Sequence, residues 1–172
     1  MRRILIIDDE KNIRTQLSGL LTDEGYGAFS ADSAEKGLDL LKDDRPDLIL
    51  LDVMLPGMSG LDALEKIRED DGELPVVLMS GQADIETAVR ATKLGAFDYL
   101  EKPLDPDRLL LTVRNALETR RLRTVNRELA AAAERELIGS SDVMESLRAA
   151  LDRAAASGAR VLITGENGTG KE

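Results

Sequence analysis

Four apolar runs in this chain each lead to a charged or hydroxyl-bearing residue. Ile4-Leu5-Ile6-Ile7 runs into Asp8-Asp9, Leu48-Ile49-Leu50-Leu51 into Asp52, and Val76-Val77-Leu78-Met79 into Ser80. Phe97-Asp98-Tyr99-Leu100 leads to Lys102-Pro103. Short apolar runs bounded by turn signals are the pattern of strands buried on both faces of a parallel sheet. Amphipathic segments alternate with them as far as about Lys102, so the expected fold is a doubly wound α/β sheet. Ligands of such sheets bind beyond the carboxyl ends of the strands, so all four polar groups would gather at one edge.

The first helix is expected from Lys11 to Glu24, with Ile13, Leu17, Leu20 and Leu21 as its apolar stripe and Gly25 as its stop. A weak strand around Ala28-Phe29 follows, then a helix from about Ser33 to Leu41. After Asp52 the turn-rich stretch Leu55-Pro56-Gly57-Met58-Ser59-Gly60 precedes a helix over Leu61 to Glu69. Asp84 opens another helix, which Gly95 ends. Asp105-Pro106 gives the next helix an N-cap and a first-turn proline. Nothing stops that helix before about Glu136, a length of roughly 45 Å.

The first half of this long helix carries Leu109, Leu110, Val113 and Leu117, a stripe suited to the sheet. Its second half is mostly Arg, Glu and Ala, with a thin seam at Leu122, Val125, Leu129 and Ala132. Alternating spacings of three and four belong to coiled coils, but so short a seam also fits a solvated surface helix. Both readings stay open. Leu137-Ile138-Gly139 opens a different region: a helix from about Asp142 to Ala156, a strand at Val161-Leu162-Ile163, then GENGTGKE.

The chain's 172 residues suffice for one well-buried domain plus a remainder. With 33 acidic against 23 basic residues, the net charge of -10 would repel a phosphate backbone, so this piece is a poor nucleic-acid binder by itself. Cysteine is absent, which excludes disulfides and thiolate metal sites and fits a reducing compartment. No apolar stretch approaches the ~20 residues that span a bilayer, and the expected location is the cytoplasm. Histidine is absent too, so any phosphohistidine donor must be another molecule.

Three carboxylates at one sheet edge repel each other, by ~4 kcal/mol for two unit charges ~4 Å apart at an effective dielectric of 20. Lys102 offsets one charge, and the remainder implies a cation. Oxygen donors alone favour Mg²⁺ over zinc. Asp52 is then the candidate nucleophile, because a carboxylate can attack phosphorus to give an acyl phosphate. Asp9 directly, Asp8 through water, Asp52 and the Met54 backbone carbonyl would hold the metal. Lys102 would neutralise phosphoryl oxygens and the Ser80 hydroxyl would donate to one of them. Each residue has a plainer reading. Asp8-Asp9 suits a helix N-cap, Asp52 a turn and Ser80 a cap. Their joint placement on strand ends favours a site.

On these residues the region 1–118 resembles a receiver domain of bacterial two-component response regulators. The match covers Ile6-Ile7-Asp8-Asp9-Glu10, the LDVMLPGMSG segment around Asp52, Ser80-Gly81, and Lys102-Pro103 after Tyr99. The resemblance implies a flavodoxin-like, five-stranded parallel sheet of order 2-1-3-4-5. It implies phosphoryl transfer from a sensor histidine kinase to Asp52, with Mg²⁺ as cofactor, slow self-catalysed hydrolysis and a cis peptide before Pro103. It also implies that Ser80 and Tyr99 form a switch; the alternative for Tyr99 is an ordinary half-buried core residue.

The tail Gly165-Glu166-Asn167-Gly168-Thr169-Gly170-Lys171 fits a phosphate loop, with Gly165, Gly168, Gly170 and Lys171 as nucleotide-binding candidates. Glu172 stands where such loops usually carry a Ser or Thr for Mg²⁺. That departure resembles the AAA+ activators of sigma-54 RNA polymerase, and the order of regions is similar to the NtrC/NtrX-type regulators. The resemblance implies a helical linker over 119–136, where the coiled-coil reading stays open, and the start of an AAA+ domain over 137–172. The chain is then expected to be the amino-terminal part of a longer protein. ATP would bind and be hydrolysed only in the intact protein, and sigma-54 RNA polymerase and DNA would be met only through regions absent from this chain. The expected partners of the visible part are a sensor histidine kinase and a second copy of itself, with no membrane. This part is expected to be a phosphoacceptor rather than an enzyme. Two other readings remain. One is a Mg²⁺-dependent phosphatase, which Met54 disfavours by occupying the place of a second catalytic aspartate. The other is a dimerisation module with a vestigial acidic site.

Overall fold

The computed structural model describes residues 1–81, 85–133 and 141–157. Five strands, β1 (Arg3–Ile7), β2 (Gly27–Ala31), β3 (Leu48–Asp52), β4 (Val76–Ser80) and β5 (Asp98–Glu101), form one sheet of order β2-β1-β3-β4-β5. Every pairing is parallel. The connections are α1 (Lys11–Asp23), α2 (Ala34–Asp43), α3 (Gly60–Asp70) and α4 (Ile85–Lys93), with α5 (Pro106–Ala133) following β5. This is the expected doubly wound, flavodoxin-like sheet.

Strand alternation divides the core into two layers. Leu5, Ile7, Ile49, Leu51, Val76 and Leu78 face one side, where Leu61, Leu64 and Ile67 of α3 and Ala91 of α4 cover them. Ile4, Ile6, Leu48, Leu50, Val77, Met79 and Leu100 face the other, against Leu17 and Leu21 of α1 and Leu109, Val113, Ala116 and Leu117 of α5. Burying a single leucine of this kind stabilises the fold by about 1.5–3 kcal/mol. β1, β3 and β4 therefore have no free face, which is why they read as continuous apolar runs.

Local chemistry sets the boundaries. Ser33 and Ser59 cap α2 and α3 by accepting from the Lys36 and Asp62 amides. Asp105 does the same for α5, accepting from the Arg108 amide at 2.8 Å. Gly25 and Gly95 follow α1 and α4 with φ of 83° and 87°, a left-handed turn that glycine takes without strain. The strand foreseen at Ala28-Phe29 is longer, Gly27–Ala31, and its half-exposed edge position explains its weak signal. The Asp84 start of α4, the end of the long helix near Glu136 and the strand at Val161-Leu162-Ile163 lie outside the described residues.

The first compact unit is Met1–Arg127. Past the sheet, α5 stays tied to it by Arg120, which donates to the Pro46 carbonyl at 2.9 Å, and by an Arg127–Glu73 ion pair at 3.1 Å. Leu122, Val125 and Leu129 are solvent-exposed. The Ala132 side chain lies outside the description. Within the second unit, the described helix is α6 (Asp142–Ser157). No helix among the described residues is long and apolar enough to cross a membrane.

Candidate functional site

The period-two alternation that builds the core also builds the site. Ile4, Ile6 and Asp8 share one parity, as do Leu48, Leu50 and Asp52, and Leu100 with Lys102, so these polar side chains emerge toward the α1/α5 side. Asp52 pairs in register with Met79, and Met79 with Leu100. Lys102 thus starts two residues farther out, and its long side chain reaches back. Its Nζ lies 2.6 Å from Asp52 Oδ2 and 2.8 Å from Asp8 Oδ2, with Glu10 Oε1 at 3.8 Å. The Lys102-Pro103 peptide is cis, and the Lys102 amide donates to the Ser80 carbonyl at 2.7 Å.

Asp8 and Asp52 are buried, at 0% and 3% exposure, whereas Asp9 faces solvent. One oxygen from each of Asp8, Asp9 and Asp52 falls within 4.8 Å of the others. Asp8 Oδ1 accepts from the Glu10 amide at 2.9 Å, and Asp52 Oδ1 from the Met54 amide at 3.1 Å. Burial pushes the Asp52 pKa above the ordinary carboxylate range and the Asp8 charge adds to it, while Lys102 and the Met54 amide pull part of the way back. Burial opposes the Lys102 charge, but its bonds to Asp52 and Asp8 outweigh that and raise its pKa.

Three carboxylates and one ammonium leave two negative charges in a partly dry pocket. An all-oxygen donor set with that residual charge fits a hard divalent cation. Asp8, Asp9 and Asp52 supply the carboxylates, and Met54 follows Asp52 by two residues at the start of the next loop. Gly60 closes that loop, its amide donating to the Val53 carbonyl at 3.0 Å. A Cβ at Gly60 would collide with the Asp52 carbonyl, so this position fixes how closely α3 approaches the site. Glu35 of α2 accepts from the Met58 amide at 3.0 Å in the same loop.

Asp8, Asp9, Asp52 and Lys102 therefore lie together at one edge of the sheet. Ser80 ends β4, buried, and its backbone carbonyl is the acceptor for the Lys102 amide. Tyr99 has the opposite parity from Lys102 and packs, half-buried, against the α2–α3–α4 layer. Gly165, Gly168, Gly170 and Lys171 lie outside the described residues. Two contributors were missed from sequence. Glu10 approaches Lys102 from the β1–α1 loop, and Arg14 of α1 donates from one Nη1 to the carbonyls of both Asp8 (2.7 Å) and Asp9 (2.9 Å). The only signal for Arg14 was its place one helical turn after Glu10.

Residues 4–114 match the response regulator receiver domain, and residues 137–172 match the sigma-54 interaction domain. The nitrogen assimilation regulatory protein NtrX of Azorhizobium caulinodans is 45% identical over 172 residues, covering 98% of this chain and 38% of that protein. The C4-dicarboxylate transport transcriptional regulatory protein DctD of Pseudomonas aeruginosa is 41% identical, covering 99% of this chain and 38% of its own. A crystal structure of NtrX from Brucella abortus is 42% identical, with a TM-score of 0.73 over 98% of this chain and 38% of that one. A receiver domain from Clostridium thermocellum is 31% identical with a TM-score of 0.68, covering 71% of this chain and 98% of its own. The chain thus spans well under half the length of the NtrX and DctD proteins it matches.

Proposed function

The chain belongs to the response regulator receiver family, in its sigma-54-dependent NtrC/NtrX-type branch, and from that premise we propose that Asp52 accepts a phosphoryl group from a sensor kinase phosphohistidine. The observation that carries this reading is the Lys102 ammonium between buried Asp8 and Asp52, with a third carboxylate within 4.8 Å. An Asp52 oxygen attacks phosphorus, the N–P bond breaks as the O–P bond forms, and the imidazole departs with the bonding electron pair. Lys102 and the Ser80 hydroxyl stabilise the equatorial oxygens. Asp8, Asp9, Asp52 and the Met54 carbonyl would hold Mg²⁺, whose part is to neutralise phosphoryl charge. Attack of water on phosphorus later breaks the O–P bond, releasing phosphate and restoring Asp52.

In this reading residues 1–118 are the receiver, 119–136 the helical linker and 137–172 the beginning of an AAA+ domain. Ser80 and Tyr99 transmit the phosphorylated state to the α4–β5–α5 face, and the exposed Leu122–Val125–Leu129 seam pairs with that of a second copy. The intact cytoplasmic protein would couple this switch to ATP-dependent activation of sigma-54 RNA polymerase. The test is incubation with Mg²⁺ and a small acyl phosphate, followed by mass spectrometry. One added phosphate is expected on the wild type and none on Asp52→Asn; equal labelling of both, or none on either, ends the proposal.

A further inference from the structure

We propose that Arg14 is a positioning residue for the cation site, gripping from α1 the backbone that carries both metal-binding aspartates. This inference deepens the function proposed above and rests on it. Arg14 sits one turn into α1, where its amide donates to the Glu10 carbonyl at 3.1 Å. Its Nη1 donates to the Asp8 carbonyl at 2.7 Å and the Asp9 carbonyl at 2.9 Å. Two consecutive carbonyls can share one donor only if the chain bends between them. Fixing both carbonyls fixes the ψ angles of Asp8 and Asp9, and hence the directions in which their side chains leave the backbone.

The strand alone does not do this. β1 ends at Ile7, and the Asp8 amide makes one more bond, to the Ala31 carbonyl at 3.2 Å. α1 starts at Lys11, and its N-cap Glu10 provides no side-chain cap. Asp8 through Glu10 therefore span a junction between two rigid elements. The Arg14 guanidinium and the bond from the Glu10 amide to Asp8 Oδ1 cross that junction from either side. Arg14 touches no carboxylate oxygen in these bonds, so its role runs through backbone geometry.

The sign of the effect separates this role from plain electrostatics. A guanidinium acting only as a charge would repel an incoming cation, so its removal would tighten binding. Arg14 is half-exposed and its field is screened over about 8 Å at physiological salt, so geometry should dominate. Outer partners that orient metal ligands are typically worth 10- to 100-fold in affinity.

The experiment is calorimetric titration of Mg²⁺ into wild type, Arg14→Gln and Arg14→Lys at fixed ionic strength. It is paired with amide hydrogen exchange without metal and with phosphorylation rates across Mg²⁺ concentrations. Arg14→Gln should weaken Mg²⁺ binding about tenfold. Arg14→Lys, which keeps the charge but has a shorter side chain without the fixed planar guanidinium, should fall between it and wild type. Exchange at Glu10 should quicken in both variants, and the maximal phosphorylation rate at saturating Mg²⁺ should stay within about twofold of wild type. Unchanged or tighter binding in Arg14→Gln overturns the inference, as does a lost maximal rate with unchanged Mg²⁺ dependence. If circular dichroism shows Arg14→Gln unfolded, Arg14→Lys decides by the same criteria. A wild type that binds no Mg²⁺ defeats the broader functional reading instead; Glu10 exchange then still tests the clamp.

Discussion

The rim of the sheet and the outer face of α5 depart from ordinary burial in opposite directions. At the rim, Asp8, Asp52 and Ser80 are polar yet buried. On α5, Leu111, Leu122, Val125 and Leu129 are apolar yet exposed. At 100° per residue these four fall within about 60° of one another, roughly opposite the buried face of Leu109, Val113, Ala116 and Leu117. Buried polar groups and exposed apolar stripes are the informative exceptions to the inside–outside rule. The rim has surplus negative charge suited to a cation and a phosphoryl group. The stripe has surplus apolar area suited to another apolar surface.

The comparison breaks most sharply at Lys102. Replacing it with alanine leaves two buried carboxylates without their cation, and the expected loss is about 3–5 kcal/mol of stability in urea unfolding. Phosphorylation of the folded fraction should slow by roughly 10²–10³. Added Mg²⁺ should restore part of the stability, because it binds the folded state and supplies the missing charge. A Lys102→Ala variant as stable as wild type would mean the rim is not under electrostatic strain.

Leucines on the two faces of α5 sharpen the contrast. Leu109→Ala opens a cavity against the sheet and should cost about 2–5 kcal/mol, independent of protein concentration. Leu122→Ala, at a residue 53% exposed, should cost under about 0.5 kcal/mol in the monomer. If the stripe is a contact between copies, Leu122→Asp should lower the mass seen by light scattering while leaving the melting of the monomer unchanged.

Most of the site was legible because side chains at strand ends obey a period of two. Ile4-Ile6-Asp8 and Leu48-Leu50-Asp52 announce both the core layer and the direction of the carboxylates. Arg14 was not legible, because it acts on backbone carbonyls and no side-chain spacing encodes that. Glu10 was hidden for a different reason: its approach to Lys102 spans most of the domain and depends on the order of strands. β2 was underestimated because an edge strand has only one well-covered face. The α5 stripe was visible as a pattern, but its two opposed apolar faces leave little net amphipathicity to show which side meets the sheet.

Asp52 gives a smaller effect with a definite sign. Its pKa is raised in the fold, so the folded state holds the proton more tightly than the unfolded chain does. Stability from this group is therefore greatest below the unfolded carboxylate pKa, and it falls as pH rises from there through the folded value. Asp52→Asn should remove that fall and be more stable than wild type at neutral pH without metal. Urea titrations at several pH values between mildly acidic and neutral would reveal it. Identical slopes for the two proteins would contradict the burial argument.

The smallest effect concerns how firmly α5 is held past the sheet. Arg120 is mostly buried, donates to the Pro46 carbonyl and lies 3.5 Å from Asp71, whereas Arg127 makes one exposed pair with Glu73. Arg120→Ala should cost about 1 kcal/mol, since a buried carbonyl loses its donor. Arg127→Ala should cost no more than a few tenths of a kcal/mol, and that loss should vanish at high salt. Hydrogen exchange along 119–127 would separate them, quickening in Arg120→Ala and barely changing in Arg127→Ala. Equal quickening would mean that the exposed pair, rather than the carbonyl bond, sets where the helix leaves the receiver.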